Sequence, residues 1–198
     1  MDVVHRLQAL KGRHQLTMDA VHRLQALKGR HQLTMDIVHR LPNKKHQTMG
    51  QSLVKNYVHI VFSTKHRKPI IHPPIEAELH NYLGGICNKL ECHVIIVGGY
   101  TDHIHILCML SKKIALMKLL EEVKSHSSKW IKTKGEAYHN FYWQDGYGAF
   151  SVKPSEIDTV IAYIANQHAH HNKKTFQDEY RGILHKYKIE FNEQYVWD

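Results

Sequence analysis

Two histidines separated by a single isoleucine, His103 and His105, stand in the apolar run from Thr101 to Leu110. In a strand, side chains alternate between faces, so both imidazoles point the same way, about 7 Å apart at their Cα atoms. Two imidazoles so placed can share a metal ion; the same pair also reads as a hydrogen-bonded structural pair. Ile104, Ile106 and Cys108 fall on the opposite face and read as core, so one strand offers ligands on one side and rigidity on the other. Farther along, Tyr163 and Gln167 are four residues apart in a helical pattern, hence on one helix face. Alone, Tyr163 reads as a half-buried helix aromatic and Gln167 as a surface amide. With the two histidines they form a set that the separate pieces do not suggest.

The elements between must bring that set together. Tyr57 to Ser63 alternates as a strand, with Val58, Ile60 and Phe62 on one face and Tyr57 on the other. Lys65-His66-Arg67-Lys68 follows as a basic loop. Pro73 and Pro74 stand at the start of a helix whose apolar positions Ile75, Leu79, Leu83, Ile86 and Leu90 keep the helical period. Strands from His93 to Val97 and from His103 to Leu110 come next, joined at Gly98-Gly99 with hairpin spacing. Ile114 to Lys132 reads as a second helix, its apolar side carrying Leu116, Leu119, Leu120, Val123 and Trp130. Its outward lysines make a face that is either solvated or meets phosphate. Gly146 to Val152 reads as a last strand. The order βαββαβ predicts an α+β, ferredoxin-like (RRM-like) sandwich with one antiparallel sheet backed by two helices. Beyond it, Ser155 and Asp158 resemble a capping box opening a C-terminal helix from Glu156 to about His171. Phe176 to Lys186 also has a helical pattern, and the tail carries Phe191, Tyr195 and Trp197, enough aromatic surface to dock.

The 198 residues exceed what this one domain needs. Met1 to Thr17 recurs from Met18 to Thr34 with only Val3 replaced by Ala20, and a third copy begins at Met35 and diverges at Pro42. Residues 1–48 thus form a tandem repeat of 17-residue period without aromatic residues or cysteine, expected to be disordered or loosely helical. In each copy an aspartate such as Asp2 can cap a short helix with Val4, Leu7 and Leu10, ended by Gly12. The repeat reads either as a basic arm touching nucleic acid or as a translated upstream DNA repeat, with the original start near Met49. It holds nine Lys and Arg against three Asp, a charge of +6, which leaves only +3 of the chain's +9 for residues 49–198. Net charge is therefore weak evidence about the domain, although a local basic patch suffices for nucleic acid. Cys87, Cys92 and Cys108 lack metal-binding spacing and read as reduced thiols of a cytoplasmic protein. No run approaches the roughly 18 apolar residues of a membrane span.

The stretches YVHIVFSTKHRKPII from Tyr57, DHIHIL from Asp102, WQDGYGAFSV from Trp143 and YIANQHAHH from Tyr163 agree in order, spacing and residue type with a known pattern. Over about Gly50 to Asp198 the chain resembles the HUH single-tyrosine transposases of small bacterial insertion sequences, the IS200-like type. The resemblance implies that His103 and His105 are the HUH histidines, Gln167 the third metal ligand and Tyr163 the nucleophile. It also implies single-stranded DNA with hairpin ends as substrate, and a homodimer in which the tyrosine helix of one subunit can complete the other's site. The repeat has no counterpart in that pattern.

The implied chemistry is physically sound. A phenol of pKa about 10 is a poor nucleophile at neutral pH unless its phenolate is stabilised or formed during attack on the phosphodiester. A divalent ion lowers the barrier from the electrophile's side. The product is a 5′-phosphotyrosine link and a free 3′-hydroxyl, which can reverse the reaction and join a new strand without ATP. Two imidazoles and an amide are neutral ligands, so Mg²⁺ or Mn²⁺ is expected to bind weakly until phosphate contributes oxygens. Zinc prefers such nitrogen ligands, with His168, His170 and His171 near enough to supply a fourth. Two rival readings are a non-catalytic nucleic-acid-binding module on the same fold and a metal-dependent phosphodiesterase using water.

Overall fold

The structure, a computed structural model, describes residues 51–197. The chain divides into two units, Met1–Ser52 and Leu53–Asp198. The repeat and its expected helical turns lie outside the described residues.

Four antiparallel strands make one sheet: β1 (Tyr57–Ser63), β2 (His93–Tyr100), β3 (His103–Met109) and β4 (Gly148–Val152), in spatial order β2-β3-β1-β4. Helix α1 (Ile75–Lys89) follows β1 and α2 (Leu116–Lys132) follows β3, giving the expected α+β sandwich. The register pairs Ile60 with Ile106 and Val61 with His105, so apolar and histidine positions alternate across the β1–β3 seam. One face carries Val58, Ile60, Phe62, Ile104, Ile106 and Cys108. It packs on Leu79, Leu83 and Cys87 of α1 and on Leu119, Leu120, Val123 and Ile131 of α2. All three cysteines are free and buried. Each large aliphatic side chain in this core contributes about 1.5–3 kcal/mol through burial.

The opposite face is covered by three helices that come after β4 in the chain: α3 (Ile157–Ala165), α4 (Gln167–His171) and α5 (Phe176–Lys186). Phe176, Tyr180 and Leu184, at four-residue spacing on α5, pack with Val61 and Phe150 of the sheet. Thr175 caps α5, its hydroxyl accepting from the Asp178 amide at 3.2 Å. Phe191, Val196 and Trp197 of the tail pack against the same cluster, whereas Tyr195 is exposed. No helix among the described residues is long and apolar enough to cross a membrane.

Several expectations need correction. Gly98 and Gly99 lie inside β2, and the turn falls at Thr101-Asp102. Gly98 is there because α3 crosses it: a Cβ at this position would lie 2.7 Å from Ile164 Cγ2 and 2.8 Å from Ile164 O. The Ser155–Asp158 capping box does not form; Pro154–Glu156 is a 3₁₀ turn and the helix begins at Ile157 without a side-chain cap. The expected continuous helix to His171 breaks at Asn166, whose side chain donates to the Ala162 carbonyl at 2.8 Å in competition with the backbone ladder. Helix α2 starts at Leu116 and β4 at Gly148, each two residues later than the pattern suggested. The basic Lys65–Lys68 segment is a tight 3₁₀ turn, with His66 and Arg67 at φ 56° and 53°.

Candidate active site

All four residues singled out from the sequence meet between the sheet and the C-terminal helices. Strand alternation sends His103 and His105 to the face away from the main core, where both are fully buried. Tyr163 and Gln167 converge on them despite the break at Asn166. The Tyr163 ring stands edge-on to His105 with centroids 5.7 Å apart, and Gln167 Oε1 lies 3.1 Å from His103 Nε2. Tyr163 thus reaches histidines of its own chain, and this cluster is assembled without a second subunit.

The structure adds members the sequence reading missed. Glu179, on the first turn of α5, is 2 % exposed and sits at the centre of the cluster. Its Oε1 accepts from Gln167 Nε2 at 2.9 Å and from the Tyr163 hydroxyl. Its Oε2 lies 3.0 Å from His171 Nε2 and 3.5 Å from His103 Nε2. The signal available in the sequence was a carboxylate on the apolar stripe of α5, flanked by Phe176 and Tyr180. His59, the histidine of β1 on the same sheet face, places Nε2 2.9 Å from His105 Nδ1. Asp102 Oδ1 accepts from His103 Nδ1 at 2.7 Å. Of the three histidines considered as extra ligands, His171 joins the cluster and His170 Nε2 comes within 3.7 Å of Glu179 Oε1. His168 points away to Glu76 of α1, at 2.8 Å.

The electrostatics separate these groups. Burial, helped by the neighbouring His105, lowers His59 to about 3, and burial lowers His105 to about 4, so both rings are neutral near pH 7. Burial also works against charge on His171, but the hydrogen bond and charge of Glu179, with the Lys174 carbonyl, outweigh it and raise its pKa. For Glu179 burial alone would raise the carboxyl, yet the surrounding imidazoles hold it well below the usual range. The pair thus joins an ionised carboxylate to an imidazole whose protonated form that carboxylate favours. Burial first, and the Glu179 charge second, push the Tyr163 phenol well above its usual value, so the hydroxyl keeps its proton here.

The lone pairs show what fits at the centre. Because a carboxylate only accepts, His103 Nδ1 carries hydrogen toward Asp102, and in a neutral ring Nε2 is a lone pair. It faces two further acceptors, Gln167 Oε1 and Glu179 Oε2. His105 Nε2 is buried without a hydrogen-bond partner, 3.6 Å from Glu179 Oε1. If His105 Nδ1 donates to His59, that Nε2 is a lone pair as well. Converging buried lone pairs repel one another and attract a cation. Ligand atoms of His103, His171 and Glu179 lie within 4.8 Å of one another, a group that could hold a metal ion. A cleft of about 340 Å³ opens beside the cluster, lined by Tyr163, His170 and Glu179 with Lys174 and Lys186 among its walls.

The family described as transposase IS200 like matches residues 52–167. Among solved structures, a protein of Deinococcus radiodurans R1 assigned as a transposase is similar at 18% identity, covering 60% of this chain and 96% of that one, with a TM-score of 0.48. A REP-associated tyrosine transposase bound to a REP hairpin is similar at 12% identity, covering 62% and 73%, with a TM-score of 0.47. No curated protein matches the chain. With more than half of its residues matched, the chain belongs to the IS200-like transposase family.

Proposed function

We propose that this transposase cleaves and rejoins single-stranded DNA at the hairpin-bearing ends of an insertion sequence, with Tyr163 as nucleophile. The observation that carries this reading is the meeting of Tyr163 and Gln167 with His103 and His105 in one buried cluster beside an open, lysine-lined cleft. His103, His105 and Gln167 would hold a divalent ion, Mg²⁺ or Mn²⁺; bound there, it supplies positive charge to a phosphate oxygen and offsets the Glu179 carboxylate. Lys174 and Lys186 attract the phosphate backbone into the cleft, a sequence-independent contribution. Asp102 and His59 fix the ring orientations of the two strand histidines.

In the cleavage step the Tyr163 oxygen bonds to phosphorus and the bond to the 3′ oxygen breaks, leaving a 5′-phosphotyrosine ester. The phenol proton has an acceptor in contact at Glu179, and the departing 3′ oxygen takes up a proton, so none is gained or lost overall. The phosphodiester-like bond is retained, and a 3′-hydroxyl can attack it to close a new junction. The chain works as a homodimer by resemblance to its family, and the arrangement within one chain supports each subunit using its own tyrosine.

The test is incubation with single strands from both flanks of the gene, labelled on the 3′ side of the cut, followed by a denaturing gel. A slower band that survives SDS in wild type and is absent from Tyr163→Phe is expected. A band persisting in Tyr163→Phe would assign the nucleophile to another tyrosine, with the exposed Tyr142 and Tyr147 as next candidates. Cleavage without any linked band would identify a phosphodiesterase that uses water.

A further inference from the structure

The neutral ligand set implied by the resemblance leaves a problem that α5 resolves. His103, His105 and Gln167 bring no negative charge, whereas hard divalent cations are held chiefly by anionic oxygen. The structure puts one carboxylate among them, and it comes from beyond the family-matched segment: Glu179 lies twelve residues past Gln167. We propose that Glu179 is the anionic ligand of the cation site, and that α5 is therefore part of the active site and not a separate cover.

Three observations carry this. First, Glu179 is oriented toward every other candidate ligand at once. Its oxygens lie 3.5 Å from His103 Nε2 and 3.6 Å from His105 Nε2, beyond hydrogen-bond length, and 2.9 Å from the Gln167 amide nitrogen. The two longer separations involve the ring nitrogens turned toward Glu179, since Asp102 and His59 occupy the other nitrogen of each ring; His105 Nε2 has no partner and His103 Nε2 also meets Gln167 Oε1 at 3.1 Å. Second, His105 Nε2 is a fully buried polar atom without a partner, and it is aimed at the carboxylate. With His105 Nδ1 donating to His59, this nitrogen is a buried lone pair, and a cation shared with the carboxylate gives it a partner. Third, the backbone fixes the carboxylate in place. Thr175 caps the helix, Glu179 N donates to Thr175 O at 3.0 Å, and Phe176, Tyr180 and Leu184 anchor the same helix to the sheet. A carboxylate held by packing is preorganised for a ligand and cannot swing away at little cost. The first turn of a helix also favours negative charge there.

The inference rests on the cation reading under Proposed function, and one experiment separates the two. Mn²⁺ is titrated into the full chain without DNA, and the free-ion EPR signal reports binding to wild type and to Glu179→Gln. Glu179→Gln is expected to bind Mn²⁺ at least ~10–100-fold more weakly, the loss already typical of removing a group that only orients a ligand. Removing one member of a buried ion pair can unfold a protein. The double variant Glu179→Gln/His171→Gln, which removes both partners of the Glu179–His171 hydrogen bond, is measured in parallel and is expected to lose binding at least to the same extent. Equal or tighter Mn²⁺ binding by either folded variant, or faster cleavage by Glu179→Gln, would overturn the proposal and make Glu179 a plug over the site. No Mn²⁺ binding by wild type at millimolar concentration would overturn the cation reading itself.

Discussion

The two faces of the sheet are built from the same strands yet obey opposite rules. On the face under α1 and α2, β1 and β3 present Ile60, Phe62, Ile104, Ile106 and Cys108 to an unbroken apolar core. On the other, the alternate residues His59, His103 and His105 meet a carboxylate, an amide and a phenol. The first face gains stability by burial. The second spends part of it on buried polar groups whose lone pairs converge, which is the cost of a prepared site. Neighbouring residues one position apart in β3 therefore differ in kind: Ile104 and Ile106 belong to the apolar core, while His103 and His105 face the polar cluster.

That contrast can be broken by substitution. His103→Ala or His105→Ala is expected to abolish cleavage while leaving hairpin binding largely intact, because in the proposed reaction these rings serve the scissile phosphate and not a distant duplex. Loss of cleavage on a gel with an unchanged band-shift would meet the expectation; equal loss of both would mean that the strand itself had failed. Ile106→Ala, one residue along on the other face, is expected to cost about 2–5 kcal/mol in urea unfolding while the molecules that remain folded still form the covalent link. Tyr163→Phe removes the proposed nucleophile, and because that hydroxyl donates to the buried Glu179 carboxylate it should lower stability by about 1.5–3 kcal/mol, the worth of one hydrogen bond to a charged group.

Smaller effects sharpen the same picture. Because Tyr163 meets the histidines of its own chain, mixing inactive Tyr163→Phe with inactive His105→Ala is expected to restore no cleavage. Recovered covalent product would show that subunits exchange their tyrosine helices. Finally, residues 49–198 alone are expected to fold and to cleave DNA as the full chain does, since the repeat lacks core-forming aromatic residues. An insoluble or inactive truncation beside an active full chain would contradict this.

Much of the fold was legible because periodicity reports burial directly. The alternation of Tyr57–Ser63 and the apolar spacing of Phe176–Lys186 gave those two elements their observed bounds. Within the site, His103 and His105 share a face by strand geometry, and Tyr163 and Gln167 by helix spacing, so each pair was visible locally. Glu179 was not. Its role depends on how α5 docks on the sheet, a contact between residues 76 apart in sequence for His103, and nothing in helical spacing encodes docking. The turn at Thr101-Asp102 was misplaced for a related reason. Gly98 and Gly99 look like turn residues, but the demand on Gly98 comes from Ile164, far along the chain.

Tyr163, the proposed nucleophile, stands next to Ile164, and Ile164 rests on the bare backbone of Gly98. How far the phenol projects over the sheet is thus set by the thickness of a peptide and not by a side chain. In-line attack on phosphorus tolerates little error, with a misplacement of about 1 Å able to cost a hundredfold in rate. A methyl group at position 98 would have to lift the helix by a comparable distance. Substitution of exposed residues of α3 can therefore adjust what the cleft admits, whereas the height of Tyr163 above the sheet is held by a strand position, Gly98, that has nothing left to trim.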